Sequence, residues 1–93
     1  MVPTVRIGIV GDFDGNRTSH IATCDALDHA AEDLRITVAH NWIATEKLED
    51  DSGLGELKSY DGMWGAPGDP HSSPGIINAI EFARNNDVPY LGT

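Results

Sequence analysis

Basic residues are scarce in this chain. Six Lys and Arg stand against fifteen Asp and Glu, giving a formal charge of −9 over 93 residues. A nucleic-acid backbone or an anionic membrane surface would repel such a chain, so neither is expected as a partner. Cysteine is nearly missing as well. The single Cys24 excludes an internal disulfide framework and fits a reducing compartment. No apolar run approaches the ~20 residues of a membrane helix. The opening Met1-Val2-Pro3-Thr4-Val5-Arg6 lacks the basic region and apolar run of a secretory signal. These absences point to a cytoplasmic chain, and they leave the Asn16-Arg17-Thr18 sequon without meaning. The length allows one domain, residues 1–93.

What is present alternates between strand and helix signals. Val5–Val10 is β-branched and runs into Gly11-Asp12, a first strand meeting a loop. Ser19–Leu34 places His20, Cys24, Leu27, Ala31 and Leu34 at helical spacing, with Thr18 or Ser19 available as cap. Arg35–Ile43 has strand composition. Thr45–Tyr60 is acidic and contains glycines, and reads as a loop with a short helix or two. Gly62–Ala66 is a short strand leading into the turn Pro67-Gly68-Asp69-Pro70. Ser73 then caps a helix with Pro74 at its first position, and Ile76, Ala79, Ile80 and Ala83 form the buried stripe. Val88–Leu91 is the fourth strand. Short strand–helix–strand connections imply parallel pairing in an open α/β sheet with flanking helices. Ligands of such sheets bind beyond the carboxyl ends of the strands. Residues 11–18, 67–73 and whatever follows Thr93 are therefore the segments where function is expected.

The first of those loops offers two metal-dependent readings. Asp12-Phe13-Asp14-Gly15 after a hydrophobic strand resembles the first motif of haloacid-dehalogenase-type phosphatases, in which one Asp attacks phosphorus, the next acts as acid or base, and Mg²⁺ assists. The motif continues as Asn16-Arg17 instead of the usual Thr-apolar pair, and no downstream Lys and paired-Asp motif follows. Asp12, Asp14 and Asn16 also imitate a calcium loop, which fails because Arg17 stands where the turn needs Gly. Cys24 lies in mid-helix on the apolar face and is expected to pack as a small hydrophobe. His20, His29, His40 and His71 show no metal-ligand spacing. His20 and His71, near the carboxyl-end loops, are expected to be solvated or capping.

Four segments together resemble the glutaminase domain of CTP synthase, a class I glutamine amidotransferase, and more closely its stand-alone relatives. Val5-Arg6-Ile7-Gly8-Ile9-Val10-Gly11 looks like that family's opening strand and turn. Ala26-Leu27-Asp28-His29-Ala30 is similar to its Ala-Leu-x-His-Ala. Asp61-Gly62-Met63 followed by Ala66-Pro67-Gly68 resembles the strand that enters its Pro-Gly loop. The run from Ala79 to Gly92 (AIEFARNNDVPYLG) matches its helix-to-elbow segment almost position for position. The resemblance implies a flavodoxin- or Rossmann-like fold, of which this chain is the amino-terminal half.

It also implies a reaction. A cysteine thiolate attacks the side-chain amide of glutamine to give a glutamyl thioester and ammonia, with a His–Glu pair activating the thiol and backbone amides holding the oxyanion. Glutamine or a related amide would be the small-molecule partner, and no cofactor or metal is implied. Pro67, Gly68 and Asp69 match the oxyanion and substrate loop, with Gly68 in the donor position. The family's second glycine is Asp69 here, and the following Pro70 has no amide to donate. Gly92 and Thr93 match the start of the nucleophile elbow. The nucleophile is expected immediately after Thr93, and the His–Glu pair beyond it, so none of the catalytic residues falls within the 93 and the chain alone is expected to be inert. The alternative function is a non-catalytic binding module on the same scaffold. An uncovered sheet edge would lead the chain to self-associate.

A chain ending at the nucleophile position agrees with a truncated piece, a genuine truncation, or a selenocysteine codon read as stop, and we favour the last. On that hypothesis the codon after Thr93 is UGA and the protein from its natural source has an intact mass more than twice 10 kDa. Any other codon there contradicts it.

Overall fold

Four short strands run parallel in one sheet: Thr4–Val10 (β1), Thr37–Ile43 (β2), Gly62–Gly65 (β3) and Tyr90–Gly92 (β4), in the order β2-β1-β3-β4. The computed structural model describes residues 3–66 and 70–92. β1 occupies the middle, pairing with β2 along its length and with β3 from Ile7↔Gly62 to Val10↔Gly65. Helices Thr18–Leu34 (α1) and Ser73–Asn85 (α3) connect β1 to β2 and β3 to β4. The two connections step outward in opposite directions, so right-handed crossovers put α1 and α3 on opposite faces. Between β2 and β3 lie a 3₁₀ turn at Thr45–Glu49, helix Asp51–Glu56 (α2) and a second 3₁₀ turn at Leu57–Ser59.

The carboxyl-end half of β1 and the whole of β3 are apolar and largely buried, as the centre of a parallel sheet requires, while β2 carries Thr37, His40 and Asn41 at the outer edge. Val10, Ile43 and Met63 join Leu48, Leu57, Ala79 and Ala83 in one buried cluster, with Tyr60, Ile76, Phe82 and Tyr90 packed against it. On the other face Ile9 is fully buried, and Trp42 from β2 donates its Nε1–H to Cys24 Sγ on α1 at 3.3 Å. Cys24 thus packs as a half-buried hydrophobe, as expected. Leu48 and Leu57 come from the segment read as an acidic loop. Each sits in a one-turn helical piece too short to show a period, so composition hid two of the largest buried side chains.

The structure corrects several element ends. Arg35 is not in a strand. It adopts φ 54° as the left-handed cap of α1, and Ile36 N–H closes on Ala31 O at 3.0 Å, which defers β2 to Thr37. Neither Thr18 nor Ser19 caps α1, because Arg17 holds the cap position without a side-chain bond. The cap of α3 is Ser72, not Ser73, and its Oγ accepts from Gly75 N–H at 3.1 Å, which leaves Pro74 at the second helical position. Leu34 and Ile80, expected on buried stripes, are 68% and 40% exposed.

For Ile80 the reason lies in the packing of α3. Its inward row is the small set Gly75, Ala79 and Ala83, which lets the helix backbone approach the 3₁₀ turn after β2. A Cβ built at Gly75 would stand 2.0 Å from the Thr45 carbonyl oxygen. Ile80 is turned outward, while Ile76 packs at the margin of the core cluster. Among the described residues no helix is long and apolar enough to cross a membrane. Gly75→Ala is expected to lower stability by about 3 kcal/mol through overpacking against backbone, read as a shift in the denaturant midpoint. An unchanged midpoint would mean that α3 does not sit this close.

Candidate functional site

The carboxyl ends of the strands are tied together by one carboxylate. Asp12 follows β1 and its side chain is 9% exposed. Its Oδ1 accepts from Thr45 N–H at 3.0 Å, and its Oδ2 accepts from the Thr45 hydroxyl at 2.7 Å and from His71 N–H at 2.8 Å. Thr45, fully buried, then accepts from Ser72 N–H through the same hydroxyl oxygen at 2.9 Å. Three loops from three different strands therefore converge on Asp12. Burial acts to raise the Asp12 pKa. The bonds from the His71 amide and the Thr45 hydroxyl and amide, with the nearby His71 ring, outweigh it and hold the carboxyl below its ordinary 3.8. The exposed His71 ring places Nδ1 3.8 Å from Asp12 Oδ1 and 3.6 Å from Glu46 Oε1.

The rest of the first loop is built on local turns and aromatic contact. Asp14 Oδ1 accepts from Asn16 N–H at 2.9 Å, and Asp14 O accepts from Arg17 N–H at 3.0 Å. Asp14 N–H donates to His20 Nδ1 at 3.0 Å. His20 is 3% exposed and lies with its ring centroid 4.8 Å from Trp42 and 6.1 Å from Phe13. The expectation of a solvated or capping His20 is corrected: the first turn of α1 faces the sheet, and the imidazole fills the space above Trp42. His71 is exposed, as expected.

The paired carboxylates of the phosphatase reading are both engaged within the protein. Both Asp12 oxygens are occupied by protein donors, and Asp14 serves its own turn. Among the described residues no group of three His, Cys, Asp or Glu is placed to hold a metal ion. Of the residues matched to the glutaminase elbow, Gly92 ends β4 and pairs with Gly65 at the end of β3. Nothing approaches within 4 Å of a Cβ built at Gly92, whereas one at Gly65 would meet the Tyr90 hydroxyl at 2.5 Å. Burial pushes the Tyr90 phenol above 10.0. Pro67, Gly68, Asp69 and Thr93 lie outside the described residues. The segment 67–69 is bracketed by two anchors: Ala66 N–H donates to Val10 O at 3.0 Å, and His71 N–H donates to Asp12. Sequence reading missed Thr45, and it placed Ser72 in a functional loop without giving it a role. The available signal was an acidic residue immediately after a strand-ending glycine, facing a Thr just past β2.

No family model matches the chain. CTP synthase of Listeria monocytogenes is 37% identical over 90 residues, covering 95% of this chain and 17% of the relative. The enzyme of the same name from Staphylococcus carnosus is 33% identical over 89 residues, covering 95% and 16%. Among solved structures, the Trypanosoma brucei CTPS glutaminase domain with bound acivicin superimposes with a TM-score of 0.82 at 25% identity, over 95% of this chain and 35% of that one. The chain is similar, throughout its length, to the glutaminase domain of CTP synthase. It spans about a sixth of the curated relatives it matches and 35% of the solved glutaminase chain. The parallel sheet and its helices agree with that fold.

The depressed Asp12 pKa has a consequence for acid stability. A carboxyl whose folded pKa lies below its unfolded value contributes stability above pH 3.8, and that stability is lost as pH falls through the folded value. Asp50 is depressed too, by the Ser52 hydroxyl and the Gly53 amide, so the wild-type acid slope is shared. Subtracting the Asp12→Asn profile from wild type should leave a difference that is constant at neutral pH and shrinks below about pH 4. Asp12→Ala, which strands three donors, should cost about 3 kcal/mol at pH 7. A pH-independent difference would contradict the assigned network.

Proposed function

We propose that this chain forms the amino-terminal part of a glutaminase that hydrolyses the side-chain amide of glutamine. The observation that carries the reading is the parallel pairing of β3 with β4 through Gly65↔Gly92. Neighbouring strands in a sheet lie about 4.8 Å apart, so the segments leaving the two strand ends start side by side. One of them, Pro67-Gly68-Asp69, matches the oxyanion loop, and the other, Gly92-Thr93, matches the nucleophile elbow. An amide carbonyl held between them would have donors on one side and the attacking atom on the other.

In this reading a cysteine or selenocysteine after Thr93 attacks the amide carbon and the Gly68 amide steadies the oxygen. Ammonia leaves, and water then releases glutamate. The His–Glu pair that moves the proton lies farther along the complete protein. The 93-residue polypeptide would itself be inert, and cytoplasmic placement agrees with the lone half-buried cysteine. β4 is an outer strand, and Leu91 is 58% exposed beside a groove of about 320 Å³ lined by Ile7, Leu27, Trp64 and Pro89, which supports self-association of the isolated polypeptide.

Ammonia release separates the outcomes. Protein purified from its natural source should liberate ammonia from glutamine, while the 93-residue polypeptide should liberate none. Release by the short polypeptide would place the chemistry within these residues, and no release by the source protein would reject the glutaminase reading.

A further inference from the structure

We propose that Asp12 is a positioning residue for amide hydrolysis, acting through His71 and Thr45 to fix the chain where the β3–α3 connection enters α3; this rests on the glutaminase reading above. Ala66 and His71, which bracket that connection, are both bonded to the end of β1, Ala66 to the Val10 carbonyl and His71 to the Asp12 carboxylate. The first anchor is ordinary backbone and insensitive to sequence. The second depends on a side chain, and only an anion accepts all three donors that converge there.

The restraint continues past His71. The Thr45 hydroxyl gives its hydrogen to Asp12 and accepts from Ser72 N–H, and Ser72 in turn accepts from Gly75 N–H in the first turn of α3. Gly75 is seated on the Thr45 carbonyl. Asp12 thus sets the position of His71, the orientation of the Thr45 hydroxyl, and through it the start of α3. An Asn at position 12 would turn an N–H₂ toward donors on one side. Displacement of a few tenths of an ångström at this connection would matter to a transition state held by aligned backbone donors, and much less to a reaction that uses none.

That difference is the test. In the source protein, Asp12→Asn and Thr45→Val are compared with wild type and with the conservative Thr45→Ser, each at a temperature where all are folded. Two rates are measured: glutamine hydrolysis, and alkylation of the nucleophile by iodoacetamide, which needs no oxyanion donors. We expect hydrolysis to fall about tenfold or more in Asp12→Asn and Thr45→Val with alkylation within twofold of wild type, and Thr45→Ser to stay near wild type. Parallel loss of both rates, or no loss of hydrolysis, overturns the proposal. If wild type does not hydrolyse glutamine, the glutaminase reading fails separately, and amide exchange in the 93-residue chain decides the anchor. There the His71 and Ser72 amides should exchange about tenfold faster in Asp12→Asn, with the β1–β2 amides unchanged. Unaltered exchange at His71 and Ser72 overturns it.

Discussion

A parallel sheet brings every strand end of one kind to one edge, and there it leaves several loops with no ladder to hold them. In this protein the Asp12 carboxylate supplies what the ladder does not. Three donors from the β2 and β3 ends converge on two oxygens that are almost fully shielded from water. A buried carboxylate without such donors would be strongly unfavourable, so the loops and the charge stabilise each other. The close seat of Gly75 on Thr45 and the Ser72 cap of α3 both follow from where that carboxylate puts Thr45.

The second constraint is the adjacency of β3 and β4. Gly65 and Gly92, paired in register, end their strands without side chains. Gly65 has no room for one under the Tyr90 hydroxyl. The end of β4 therefore lies beside a connection whose flanking residues Ala66 and His71 are both anchored to the end of β1. The likeness to the glutaminase domain of CTP synthase covers almost the whole chain in sequence and fold. The chemistry proposed here uses those strand ends, and the polar network behind them gives the first loop a structural role in place of a metal-dependent one.

Much of the architecture was legible in the residues. β-branched runs and glycine–proline punctuation located all four strands, and the 3.6-residue period located α1 and α3. Element ends were less legible because they turn on single residues whose conformation is not local in origin. Arg35 adopts a left-handed cap that its composition does not favour, and Ser72 outcompetes Ser73 because Thr45 fixes its backbone. His20 looked polar and proved buried, since Trp42 and Phe13 offer a surface only when β1, β2 and α1 come together. The Pro-Gly loop and the elbow were expected from family likeness alone, and most of their residues lie outside the described ones. Asp12 was noticed as a reactive carboxylate, yet its partners lie 33 and 59 residues away, where no spacing rule reaches.

The proposed glutamine hydrolysis requires a reactive nucleophile directly after Thr93, beside the β3 and β4 ends. The measurement that tests it most directly is iodoacetamide labelling of the source protein with and without glutamine, followed by mapping of the labelled residue. The account predicts a rapidly labelled sulfur or selenium at the position after Thr93, protected by glutamine, with Cys24 slow because it is half-buried against Trp42. Labelling confined to Cys24, or labelling elsewhere that glutamine leaves unchanged, would contradict it.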